Sequence, residues 1–205
     1  MFVATGMLGV YISQACQMGA YALFMASSYD LTLTDSLIQA AGDSIKDQPT
    51  YLIAAKNIKC SKTAAVGQPF TDLSLKSLDG SPACLSDYVG KGQYVVMDCW
   101  ASWCPPCRRL IGELKTLYPQ LQQWGVMVIG VATRDKMSDT RQAVQDLEIP
   151  WGILSDEEST PNSRDVYGYE SIPQLFLFGP DGTILGRNLS ESQLIEKLSN
   201  LLTTK

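Results

Sequence analysis

The sequence predicts an α/β chain in which a central mixed β-sheet is flanked by helices and preceded by an N-terminal helical segment. Three observations predict it. Apolar residues over the first 60 or so positions recur at mixed i+3/i+4 spacing, which is helical. From Val66 the pattern changes to short alternating runs punctuated by Asp-Gly turns, the signal of hairpins. From Tyr94 the order reads β-α-β-α and then β-β-α, which requires both parallel and antiparallel neighbours in one sheet.

Each element has a local reason. Met7, Val10, Tyr11, Cys16, Met18, Tyr21, Leu23 and Phe24 mark one apolar helical face. Residues 35–41 form a short helix that Thr34 can cap and Gly42 can stop, and the stretch from Lys46, with Pro49 in its first turn, gives a third. "FTDLSLKSLDGSPACLSDYVG" supplies two alternating runs around the Asp79-Gly80 turn. Residues 94–100 are a near-continuous apolar strand, 105–124 a helix, 126–133 a strand and 138–147 a helix. After "PWGILSD" and a short helical stretch near Arg164, "QLFLFG" and "TILGRN" pair across the Asp181-Gly182 turn, and 190–202 is a last amphipathic helix. The organisation expected is a helical segment over 1–62 and an α/β domain over 63–205.

Composition narrows the chemistry. With 45% hydrophobic and 18% charged residues the chain has the composition of a globular protein, and a net charge of −5 argues against a phosphate-backbone partner. Histidine is absent, which removes every mechanism that needs imidazole as base, acid or metal ligand. Six cysteines are too few for a disulfide scaffold at 205 residues, and without a second C-x-x-C a zinc ribbon is not expected. No basic residue precedes Lys46, so a secretory leader is not legible, and no run reaches the roughly 20 apolar residues of a membrane span.

One pair of thiols has the spacing of redox work. In "YVVMDCWASWCPPCRRL" a strand ends near Trp100 and a helix opens at Cys104, so Cys107 stands one turn in on the same face. The i and i+3 positions place the two Cβ atoms close to disulfide distance. A helix N-terminus favours a thiolate, so Cys104 is the expected nucleophile. Pro105 and Pro106 fit the first helical positions but remove two N–H donors, leaving the Cys107 N–H to bond the sulfur. This predicts a thiolate less stabilised than in a C-G-P-C version and therefore a more reducing couple. Asp98 interrupts an otherwise apolar central strand. Desolvation would raise its pKa and suit it to accept the proton of Cys107; the structural alternative is an acid paired with a buried lysine.

"VGQPFTDLSLKSLDG…LSDYVGKG", "DCWASWCPPCR" and "SIPQLFLFGPDG", in that order, resemble the thioredoxin-like superfamily and within it the TlpA/ResA type of bacterial envelope thiol-disulfide oxidoreductases, over roughly residues 64–205. The resemblance implies a thioredoxin-like fold with Cys104 as the attacking cysteine, Cys107 as the resolving one and Asp98 as the buried acid. It implies that Pro173 is a cis-proline facing the pair, and that Trp103, Pro105, Pro106 and Ile172 meet the substrate, the backbone at Ile172 pairing with an extended segment by strand addition. The partners implied are protein disulfides or dithiols and an upstream electron donor, with no organic cofactor and no metal; the location implied is the bacterial periplasm or cell envelope, the alternative being cytoplasmic. Residues 1–62 resemble the end of a larger N-terminal region and are a candidate for self-association. The sequence departs from the family pattern at Leu110 and Gly112, where many TlpA/ResA proteins carry an acid and a proline.

Two other readings compete. A redoxin-type thiol peroxidase shares the lead-in motif but usually carries Thr or Ser where this chain has Ala101. A non-catalytic adaptor would use the domain as a scaffold, yet both cysteines are present. Cys99 reads as a small core residue, and Cys16, Cys60 and Cys84 as free or core thiols whose pairing spacing alone does not assign.

Overall fold

The computed structural model describes residues 31–203 together with Gly19; the helical face expected around residues 7–24, and Cys16 with it, lie outside the described residues. The chain divides into two compact units, Met1–Thr63 and Ala64–Lys205.

The first unit contains helices α1 (Leu31–Ala40), α2 (Asp43–Lys46) and α3 (Pro49–Thr63). Helix α1 already begins at Leu31, so Thr34 lies inside it and is not its cap, a correction to the expected boundary. Gly42 separates α1 from α2 with an extended backbone, and Pro49 opens α3, where its missing N–H costs no helical bond. Tyr51 and Ala54 on α3 pack against Ile38, Ala41 and Ile45, while the Tyr51 hydroxyl donates to the carbonyl of Ile38 at 3.2 Å. Lys62 pairs with Asp35 at 2.6 Å.

The second unit is built on a seven-stranded sheet. Its elements are β1 (Ser74–Ser77), β2 (Pro82–Cys84), a 3₁₀ turn (Leu85–Asp87), β3 (Val95–Trp100), α4 (Pro105–Gln123), β4 (Met127–Ala132), α5 (Met137–Asp146), β5 (Gly152–Ser155), α6 (Ser163–Tyr167), β6 (Gln174–Phe178), β7 (Ile184–Arg187) and α7 (Glu191–Thr203). The spatial order is β2-β1-β5-β4-β3-β6-β7. Strands β3, β4 and β5 run parallel, and β6, β7 and the β1/β2 hairpin are antiparallel to their neighbours. "PWGILSD", not assigned to a strand from its pattern, supplies β5. Only four residues long, it is stabilised as the bridge between β4 and β1 rather than by its own periodicity.

Strand β3, between parallel β4 and antiparallel β6, is buried at all six positions because the sheet is covered on both faces. Val96 and Trp100 enter one apolar cluster with Cys107, Ile111 and Leu114 of α4, Ala143 of α5, and Leu194 and Leu198 of α7. Val95, Met97 and Cys99 enter the other, with Tyr167 of α6, Leu73 and Leu85. Asp98, two positions from both Val96 and Trp100, therefore projects to the α4 face. Opposite it, Gly130 of β4 is a packing requirement: a Cβ there would run into Ile153 and lie 3.1 Å from the indole nitrogen of Trp100.

Candidate redox site

The end of β3 and the start of α4 build the site. Cys104 is the N-cap of α4 with an extended backbone, Pro105 and Pro106 occupy the first helical turn, and the Cys107 N–H donates to the Cys104 Sγ at 3.3 Å. It is the backbone donor that the two prolines leave in place at the third helical position. The two sulfurs are joined, with S–S at 2.19 Å and the Cα atoms 5.3 Å apart. Cys107 is fully buried among apolar side chains, while Cys104, 3% exposed, lines a cleft of about 290 Å³. An incoming sulfur thus has access to Cys104 first.

Asp98 is fully buried, and neither carboxylate oxygen has a hydrogen-bond partner. Among the described residues no lysine pairs with it, so the structural alternative of a buried ion pair has no support here. Burial without a compensating donor penalises the charged form and pushes its pKa up to about 8. Cys99, on the opposite face, is pushed up as well, first by burial, and stays a neutral thiol packed beside Tyr169.

The cleft wall opposite Cys104 comes from the segment before β6. The Ile172–Pro173 peptide is cis, and the Ile172 carbonyl oxygen lies 3.9 Å from Cys104 Sγ. Trp103 is 57% exposed and walls the cleft, its indole N–H donating to the Arg134 carbonyl at 3.1 Å. Pro106 divides this cleft from a second hollow lined by Arg109, Leu110, Glu113 and Pro173. Behind Trp103 the buried carboxylate of Asp135 accepts the Ser102 N–H at 2.6 Å and hydroxyl at 2.9 Å, the Lys136 N–H at 3.1 Å and the Thr140 hydroxyl at 3.1 Å. The loop that delivers Cys104 is therefore tied to the loop after β4.

Residues 66–186 match the AhpC/TSA family. The chain belongs to that family. Among curated relatives, this AhpC/TSA-family chain is 31% identical over 135 residues to the thiol-disulfide oxidoreductase ResA of Geobacillus thermodenitrificans, covering 65% of this chain and 75% of the relative. It is 27% identical over 133 residues to the thiol:disulfide interchange protein DsbE of Pasteurella multocida, covering 65% and 71%. The fold matches the thioredoxin domain of a thiol-disulfide oxidoreductase from Bacteroides vulgatus at a TM-score of 0.59 and 23% identity, covering 67% of this chain and 98% of that domain. It also matches a thiol:disulfide interchange protein from a Bacteroides species at 0.61 and 22%, covering 69% and 92%. The second unit is thus thioredoxin-like in fold.

In this AhpC/TSA-family chain, Trp103, Cys104, Pro105, Pro106 and Ile172 line one cleft; Pro173 faces the adjoining hollow, and Asp98 lies in the core. Leu110 is half-buried against the core, and α4 runs unbroken through Gly112. Cys60, Cys84 and Cys99 are free thiols. Sequence reasoning missed Asp135 and Arg134. The signal was available: "TRD" directly follows a parallel strand, and the carboxyl ends of parallel strands share the edge where Cys104 emerges. It also missed a second brace, in which Asp156 accepts the Ser163 N–H at 2.9 Å and the Ser163 hydroxyl lies 2.6 Å from that of Tyr169, anchoring the segment that leads to Ile172. Among the described residues no cluster of three potential ligands can hold a metal, and no helix is long and apolar enough to cross a membrane.

Proposed function

We infer that this chain is a thiol-disulfide oxidoreductase that exchanges its Cys104–Cys107 pair with protein disulfides, acting as a reductant in the bacterial cell envelope. The observation that carries the reading is the asymmetry of the pair: one sulfur at a helix N-cap on a cleft, the other sealed directly behind it.

In the reduced protein the Cys104 thiolate attacks one sulfur of a substrate disulfide; a mixed disulfide forms and the substrate's other sulfur leaves as a thiolate. Cys107 then attacks Cys104 Sγ, forming the intramolecular disulfide and releasing the substrate's second thiolate. Two electrons pass from the pair to the substrate, and a dithiol donor must return them. Cys107 must lose its proton in an apolar pocket, and Asp98, in the fraction ionised near its raised pKa of about 8, is the group we assign to take it. Backbone at Ile172 pairs with the extended substrate segment in this scheme. The pair's single backbone donor supports the reducing direction, since a less stabilised thiolate lowers the potential. Exposed Leu52 and Ile53 on α3 support self-association through the N-terminal unit. The envelope assignment rests on the TlpA/ResA resemblance.

Insulin-disulfide reduction by dithiothreitol tests the activity. Wild type is expected to accelerate it, Cys104→Ser to return it to the uncatalysed rate, and Cys107→Ser to accumulate a mixed disulfide. Equal rates for wild type and Cys104→Ser would favour a scaffold role instead, and peroxide consumption by Cys107→Ser would favour a peroxidase.

A further inference from the structure

We propose that the substrate segment carries an acidic side chain beside its redox cysteine and that Arg134 selects it. This deepens the exchange reading above and rests on it.

The cleft at Cys104 has charged side chains at only part of its rim: Arg134, Arg164 and Glu170. Arg164 and Glu170 form an ion pair with each other, so their charges largely cancel at any distance beyond the pair. Arg134 is different. Its side chain is exposed, and no carboxylate among the described residues pairs with it. Asp135, next in the chain, turns inward to Ser102 and Thr140 instead.

Arg134 is also held in place. Its backbone adopts a left-handed φ of 54°, which a non-glycine residue adopts only at a cost, and its carbonyl accepts the indole N–H of Trp103. The root of the guanidinium is thereby tied to the side chain that walls the cleft. Two further cations stand on the first turns of α4: Arg108, which donates to the neutral carbonyl of Ser102 at 3.3 Å, and Arg109, which shares the adjoining hollow with Glu113. A chain with 16 basic and 21 acidic residues thus presents arginines around its reactive sulfur. Such an arrangement attracts an anionic segment, speeds its encounter and disfavours a cationic one. Planar guanidinium also matches a carboxylate in a two-point contact.

Three disulfide-linked peptides of equal length, with Asp, Ser or Lys flanking the cysteine, are presented to the reduced full chain, and the rate constant of its oxidation is followed by tryptophan fluorescence. The Asp peptide is expected to react about 10-fold faster than the Lys peptide at low ionic strength, with the ratio shrinking as salt shortens the screening length. Arg134→Glu brings that ratio to one or below, and Arg134→Gln falls between. A wild-type ratio near one, or a ratio that both variants leave intact, overturns the proposal. If none of the three peptides, the Ser one included, oxidises the wild type, the exchange reading itself fails.

Discussion

Two buried aspartates flank the cysteine loop and are treated in opposite ways. Asp98, in the middle of β3, has no hydrogen-bond partner for either oxygen; Asp135, in the loop after β4, accepts four donors. A carboxylate supplied with donors is a brace, because the two Ser102 donors are satisfied only while the two loops stay together. A carboxylate denied them is destabilised as an anion and becomes a place to store a proton. The same side chain thus serves geometry on one side of Cys104 and, in the role proposed for Asp98, proton transfer on the other.

The sharpest test of that contrast is kinetic. Asp98→Asn keeps the shape but cannot accept a proton, so release of product from the mixed disulfide should slow by about 10²-fold or more while capture by Cys104 changes little. Single-turnover measurements with a peptide disulfide separate the two steps, and equal slowing of both would reduce Asp98 to a packing residue. Next in size is the brace. Asp135→Ala strands the Ser102 and Thr140 donors and should cost about 2 to 4 kcal/mol in urea denaturation, with Asp135→Asn costing less because one acceptor survives. A loss under about 0.5 kcal/mol, the level of an ordinary surface change, would break the comparison.

The smallest effect per step is the pH dependence. Unfolded, Asp98 titrates near the usual ~4; folded, it titrates at about 8. Between those values the native state holds a proton that the unfolded state has released, so stability falls as pH rises, by about 1.4 kcal/mol per unit from this group. Outside the window the group contributes no slope. Denaturation of the oxidised protein across pH 5 to about 8 should show Asp98→Asn with a shallower decline than wild type, and superimposable slopes would mean that Asp98 is hydrated or paired in solution.

Much of the second unit was legible because its cues are local. The Asp79-Gly80 and Asp181-Gly182 turns fix two hairpins, and the apolar run before Cys104 can only be a central strand. Strand β5 was not legible, since four residues carry too little periodicity and its partners β4 and β1 are distant in sequence. Thr34 misled for the reverse reason: a good capping residue does not stop a helix from beginning a turn earlier.

The sequence by itself determined the thiol pair and its order. Two thiols one helical turn apart, behind prolines that suit only a helix start, dictate which sulfur caps the helix and which lies within it. An aspartate in an apolar strand was likewise visible as an anomaly. What only the tertiary structure decided was the company these groups keep. Whether Asp98 meets a lysine, which loop holds Ser102, and that Arg134 stands at the cleft all depend on strands brought together across dozens of residues. Hydrogen bonds and desolvation act over a few ångströms in space, whereas the pattern along a chain reports only its nearest turns.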